Sequence, residues 1–175
     1  MNLLSPPVGK HDHVQGPADA PVTLVEYGDF ECPYCGSMYA VIKEVQQALG
    51  PQLRFEFRHF PLTDVHAHAL HAAEFAEAAD AFGKFWEAHD VLYENQAVLN
   101  DRALTQYWEE LDLPARDLKA ALEGDDDEHI QEDFSAALRN GVNSTPTLFI
   151  NNHLYTGEHD AQSLLAALSA LASRV

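Results

Sequence analysis

"PVTLVEYGDFECPYCGSMYAVIKEVQQALG", residues 21–50, changes its hydrophobic period once, and the change falls on a pair of cysteines. Val22, Leu24, Val25 and Tyr27 form a short, β-prone, nearly continuous apolar run, the pattern of a strand buried on both faces of a sheet. From Cys32 onward Met38, Val41, Ile42, Val45 and Leu49 recur at helical spacing, and Gly50-Pro51 ends the helix. A buried strand therefore runs straight into Cys32-Pro33-Tyr34-Cys35, and a helix begins there.

Working outward, "LRFEFRHF" (53–60) alternates Leu53, Phe55 and Phe57 with Arg54, Glu56 and Arg58, which predicts a second strand with one face in the core. Strand, helix, strand implies a parallel, right-handed crossover. Residues 64–139 read as a succession of helices, broken at Pro114 and at Gly124 before the acidic turn "DDDE". Gly141 suits the residue after a helix end, "TPTLFINNHLYTG" reads as a hairpin turning at Asn151-Asn152, and a last helix from about Asp160 buries Leu164, Leu165, Leu168 and Leu171. Residues 1–21 read as loop, the first twelve as a flexible tail. The order β, α, β, helices, β, β, α describes one α/β domain. Its core spans about 20–62 and 141–175, with an all-helical insertion over about 63–140. A chain of 175 residues buries about two-thirds of its unfolded surface.

The formal charge of −18 argues against nucleic acid and anionic membranes, both polyanions. Residues 63–139 hold 19 of the 28 acids and 5 of the 10 bases, which gives the insertion a solvated acidic exterior. No apolar run reaches the roughly 18 residues of a membrane span, and the N-terminus lacks the pattern of a secretory signal. As written, the chain is expected to be a soluble cytoplasmic monomer, or extracytoplasmic if a leader has been removed.

Three chemistries compete for the cysteine pair. As a structural staple it closes a minimal loop and contributes little. A structural zinc site wants four ligands, and the chain has no second cysteine pair. Histidines would have to complete it. His66, His68 and His71 lie close in sequence, but only His68 and His71 share a helical face, and they read as solvated side chains. The redox reading rests on context: Cys32 stands at a helix N-terminus, where unpaired N–H groups and the macrodipole favour a thiolate. Pro33 suits the first turn, and Cys35 is one turn up, able to close a disulfide onto Cys32. Asp29 and Glu31 oppose this, since like charge disfavours a thiolate.

"APVTLVEYGDFECPYC" (20–35), "FRHFPL" (57–62) and "GVNSTPTLFINN" (141–152) together resemble the DsbA-like disulfide oxidoreductases of the thioredoxin superfamily. The likeness is greatest to the DsbA-like domain fused to some bacterial sodium/proton antiporters. It implies a thioredoxin-like fold with the helical insertion between its βαβ and ββα halves. It also implies Cys32 as the more exposed, attacking thiol, Cys35 as the resolving one and Pro146 as the cis-proline facing them. Thr145 would offer its backbone to an extended substrate, with Pro33 and Tyr34 on the binding rim. Glu26 matches a buried acid that moves protons at Cys35; a carboxylate inside an apolar strand is costly unless paired or protonated, which flags it independently. Where the family's strong oxidases carry His, this chain has Tyr34, which supplies no cation and argues for a less oxidising couple.

Other motifs absorb less. "GDDDEH" (124–129) lacks the Gly and Glu of an EF-hand, "NST" (143–145) is a bare glycosylation match, and Phe82, Phe85, Trp86, Tyr107 and Trp108 read as the insertion's own core. The expected function is thiol–disulfide exchange with protein or peptide substrates, served by a recycling partner. No cofactor beyond the Cys32–Cys35 disulfide is expected, and no metal. The alternative is a non-turnover redox-sensing or protein-binding module partnered with a membrane transporter.

Overall fold

A computed structural model describes residues 3–9, 11–123 and 127–173. Its sheet contains β1 (His13–Gln15), β2 (Val22–Gly28), β3 (Leu53–His59), β4 (Thr147–Ile150) and β5 (His153–Leu154) in the spatial order β1-β3-β2-β4-β5. β2 and β3 are parallel, with Val22 opposite Leu53 and Gly28 opposite His59, and the other pairings are antiparallel. Between β2 and β3 runs α1 (Pro33–Leu49), and α7 (Ala161–Ala172) closes the chain. α2 (Ala69–Asp80), α3 (Phe85–Glu94), α4 (Asp101–Glu110), α5 (Ala115–Glu123) and α6 (Glu128–Arg139) lie between β3 and β4. The expected order is present, with β1 added. Gly124 and the turn "DDDE" at 125–128 fall largely outside the described residues.

Local signals set these boundaries. Pro33 opens α1, and Met38, Ile42, Val45 and Leu49 form its buried stripe. Asn100 and Asp160 cap α4 and α7 through side-chain oxygens accepting from Ala103 and Ser163 N–H. Gly141, at φ 77°, follows the end of α6, where a Cβ would be strained. Asn151 and Asn152 both carry positive φ, as a tight two-residue hairpin requires.

One face of the sheet carries Leu24, Phe55, Phe57 and Leu148 against α1, α7 and the helical block. Phe85, Tyr107 and Trp108 belong to this same buried cluster, so the insertion has no separate core; Trp86 is half-buried at its margin and Phe82 is exposed. The other face holds Val25, Tyr27 and Phe149 with Leu4, Phe60, Ala137 and Val142.

β3 departs from the one-sided expectation. Glu56 and Arg58 are as buried as its phenylalanines, because the N-terminal stretch and α6 cover that face. Arg58 bonds to the Glu56 carboxylate, the Tyr27 hydroxyl (3.1 Å) and the Pro6 carbonyl (3.0 Å), and lies 3.5 Å from Asp12. A charge pattern that looks solvent-facing is thus an internal ion pair. Leu4, Pro6 and Asp12, within the stretch read as a tail, supply part of that cover. Leu4 is buried, its N–H bonds to Asn152 O (2.8 Å), and Ser5 N–H bonds to Asn140 (2.9 Å).

Candidate active site

β2 delivers its end to the top of α1 through Asp29-Phe30-Glu31, and Cys32 is the residue before the first helical turn. Gly28 lets this end pass close to its neighbours, since a Cβ there would run into the Phe57 ring and sit 3.0 Å from the Tyr93 hydroxyl. Cys32 N–H bonds to Asp29 O at 3.1 Å, and the Cys32 sulfur lies 3.5 Å from Thr145 O. The Thr145–Pro146 peptide is cis, and both residues are buried beside the pair. Pro33 and Tyr34 face solvent, Tyr34 at 75 % exposure. Pro33, Tyr34 and Cys35 in the first turn of α1 and Thr145 and Pro146 before β4 thus lie about Cys32, and Glu26 is inside β2.

The two thiols differ in character. The Cys32 sulfur accepts from the Cys35 thiol, Thr145 and the N–H groups of Cys35 and Tyr34 add to this, and its pKa falls to about 5. Burial, the bond it donates to Cys32 and the nearby Glu26 charge push the Cys35 thiol well up. Burial also raises Glu26 to about 8, with the Cys32 charge adding, and its Oε1 has no hydrogen-bond partner. The expected contrast in exposure is slight, at 3 % for Cys32 against 0 % for Cys35.

The two acids before the pair are not free charges. Asp29 is buried and accepts from Glu31 N–H (2.8 Å), Leu62 N–H (2.9 Å) and His66 Nδ1 (2.8 Å). Glu31 accepts from His68 N–H (2.7 Å) and lies 2.8 Å from His68 Nδ1. His71 pairs with Asp101 at 2.6 Å. The expectation of solvated histidines is corrected for His66, which is held by the buried Asp29, while the His68 and His71 side chains stay 40 % and 37 % exposed. Against partial burial, the Asp29 carboxylate raises the His66 pKa, and the Cys32 charge contributes too. His66 is thus a titratable group whose charged form the Cys32 thiolate favours. Its sequence signal is the matching spacing of Asp29-x-Glu31 and His66-x-His68, visible only once the two segments are known to meet.

Gln96 was also missed. From the turn after α3 its Nε2 donates to Phe30 O and Cys32 O, both at 2.8 Å, tying the helical block to the cysteine turn. No sequence pattern marks it.

The family model described as thioredoxin matches residues 9–170. The chain belongs to the thioredoxin family. This thioredoxin-family chain superposes on a thioredoxin-like oxidoreductase from Silicibacter pomeroyi with a TM-score of 0.81 and 25 % identity, over 94 % of this chain and 93 % of that one. Its DsbA-like fold is shared with Wolbachia pipientis α-DsbA1, at a TM-score of 0.78 and 18 % identity over 94 % and 92 % of the two chains. Among curated proteins it is 42 % identical over 174 residues to Na(+)/H(+) antiporter NhaA 1 of Salinispora arenicola, covering 97 % of this chain and 26 % of that protein. It is 39 % identical over 173 residues to NhaA 1 of Mycolicibacterium gilvum, covering 97 % and 28 %. The chain thus spans about a quarter of the length of these relatives, in agreement with the resemblance to an antiporter-linked domain. Among the described residues no helix is long and apolar enough to cross a membrane.

Proposed function

We propose that this chain catalyses thiol–disulfide exchange with protein or peptide substrates through Cys32 and Cys35. The observation that carries the reading is the placement of the pair: Cys32 caps the start of α1 with its sulfur 3.5 Å from Thr145 O, beside the cis Thr145–Pro146 bond, an environment that lowers the Cys32 pKa and raises that of the buried Cys35. In the reducing direction the Cys32 thiolate attacks a substrate disulfide, forming a mixed disulfide and releasing one substrate thiolate. With the Cys32 charge consumed in the mixed disulfide, Glu26 in its ionised form takes the Cys35 proton, and the Cys35 sulfur attacks Cys32. The second substrate sulfur leaves, and the enzyme is left as the Cys32–Cys35 disulfide. The oxidising direction is the same path reversed, with the couple's potential choosing between them. Thr145 offers its backbone to the substrate chain beside Pro146, and Pro33 and Tyr34 form the exposed rim. A recycling partner returns the pair to its starting state.

Turnover tests this. Purified protein should reduce insulin disulfides or oxidise a reduced unfolded substrate, and Cys32→Ser should abolish either activity. Inactivity of the unmodified protein in both assays would overturn the enzyme reading. The antiporter relatives favour one second reading, a redox-responsive module acting beside a membrane antiporter without turnover. It predicts no activity in either assay, with ion transport that changes on oxidation of the pair.

A further inference from the structure

Beside the edge strand β1, three segments bring metal-binding side chains together. His13 comes from β1, Glu77 from α2 and His129 from the first turn of α6. One ligand atom from each lies within 4.8 Å of the other two. His13 Nε2 is 2.6 Å from Glu77 Oε1, and His129 Nδ1 is 3.3 Å from Glu77 Oε2. We propose that His13, Glu77 and His129 form a binding site for a zinc-like divalent cation.

The surroundings are those of a metal site. The far nitrogen of each histidine faces a second carboxylate: His13 Nδ1 is 3.6 Å from Asp80, and His129 Nε2 is 3.9 Å from Asp133. Such carboxylates behind ligating imidazoles orient the ring and raise its basicity. His59, buried at the end of β3, bonds to Glu77 Oε1 at 2.7 Å and holds that carboxylate in place. The His13 ring is stacked on Phe85 at 3.4 Å, nearly parallel, which fixes its rotation. Ligands at about 2.1 Å from one ion lie no more than about 4.2 Å apart, so small side-chain shifts bring all three to it.

Two imidazoles and one carboxylate suit zinc, cobalt or nickel rather than calcium or magnesium, which prefer all-oxygen shells. Of the three, His129 borders a cavity of about 580 Å³, lined also by Asp12, Glu128, Glu132, Asp133, Arg58 and Arg139. Without an ion the same residues form a hydrogen-bonded cluster, in which the Glu77 carboxylate pairs with His13, His59 and His129.

The test is calorimetric titration of Zn²⁺ into tag-free, chelator-stripped full-length protein carrying Cys32→Ser and Cys35→Ser, so that no thiolate competes. One ion per chain is expected. Glu77→Gln and His129→Ala, each checked for native circular dichroism, should weaken binding more than tenfold. Co²⁺ should give visible bands without sulfur-to-metal charge transfer. Absence of binding, or binding that both substitutions leave unchanged, would overturn the site and leave the cluster as a hydrogen-bonded strut.

Discussion

Removing the titration of Glu26 should abolish a large part of the protein's pH-dependent stability. Its carboxyl lies within β2 opposite Phe57 and Leu148, and burial pushes its pKa from 4.5 to about 8. A raised folded pKa means that the folded chain holds a proton the unfolded chain has lost. The contribution is therefore intact below pH 4.5 and is lost as pH climbs to 8. Each pH unit in that window costs about 1.4 kcal/mol, giving about 3 kcal/mol at pH 7 and a plateau near 5 kcal/mol above pH 8. Glu26→Gln keeps the shape and removes the ionisation. Urea unfolding of the reduced protein and the variant at pH 5, 7 and 9 measures the effect. Their stability difference should move by about 4 kcal/mol over that range, in favour of the variant as pH rises. Parallel pH profiles would refute the reasoning, and would mean that Glu26 is solvated or paired. The variant should also resolve mixed disulfides more slowly, since it cannot take the Cys35 proton.

Three further outcomes follow from the contacts around the pair. His66→Ala should raise the Cys32 pKa above about 5 and make the couple more reducing, read by thiolate absorbance at 240 nm against pH and by equilibration in glutathione buffers; an unchanged titration would show that the His66–Asp29 pair is electrically silent at Cys32. Gln96→Leu removes two bonds to backbone carbonyls and should destabilise the chain by about 1–3 kcal/mol in urea melts, with no loss expected if water replaces the amide. Leu4→Ala should cost about 2–4 kcal/mol, where a loose N-terminal tail would leave the melt unchanged.

The elements were legible wherever the deciding interaction is local. The strand before Cys32, the helix stripe from Met38 to Leu49, the Asn151-Asn152 turn and the Gly141 stop each follow from residues a few positions apart. β1 was missed because three residues carry too little pattern, and its pairing depends on β3, about forty positions away. Arg58 and Glu56 were misread for a related reason. Alternation shows that two faces exist, and only the packing of Leu4, Pro6 and α6 shows that both are covered.

By itself the sequence determined the chemistry available: two thiols three positions apart at a helix start, a carboxylate in the preceding strand and a Thr-Pro step far downstream. Tertiary structure alone decided how those groups are biased. Asp29 and Glu31 look like repulsive charges beside a thiolate until the chain brings His66 and His68 back to them across 37 positions. His13, Glu77 and His129, 64 and 52 positions apart, have no shared local pattern at all. Periodicity encodes which face of an element turns inward. Electrostatics depends on which distant face it meets there, and the path of the chain sets that.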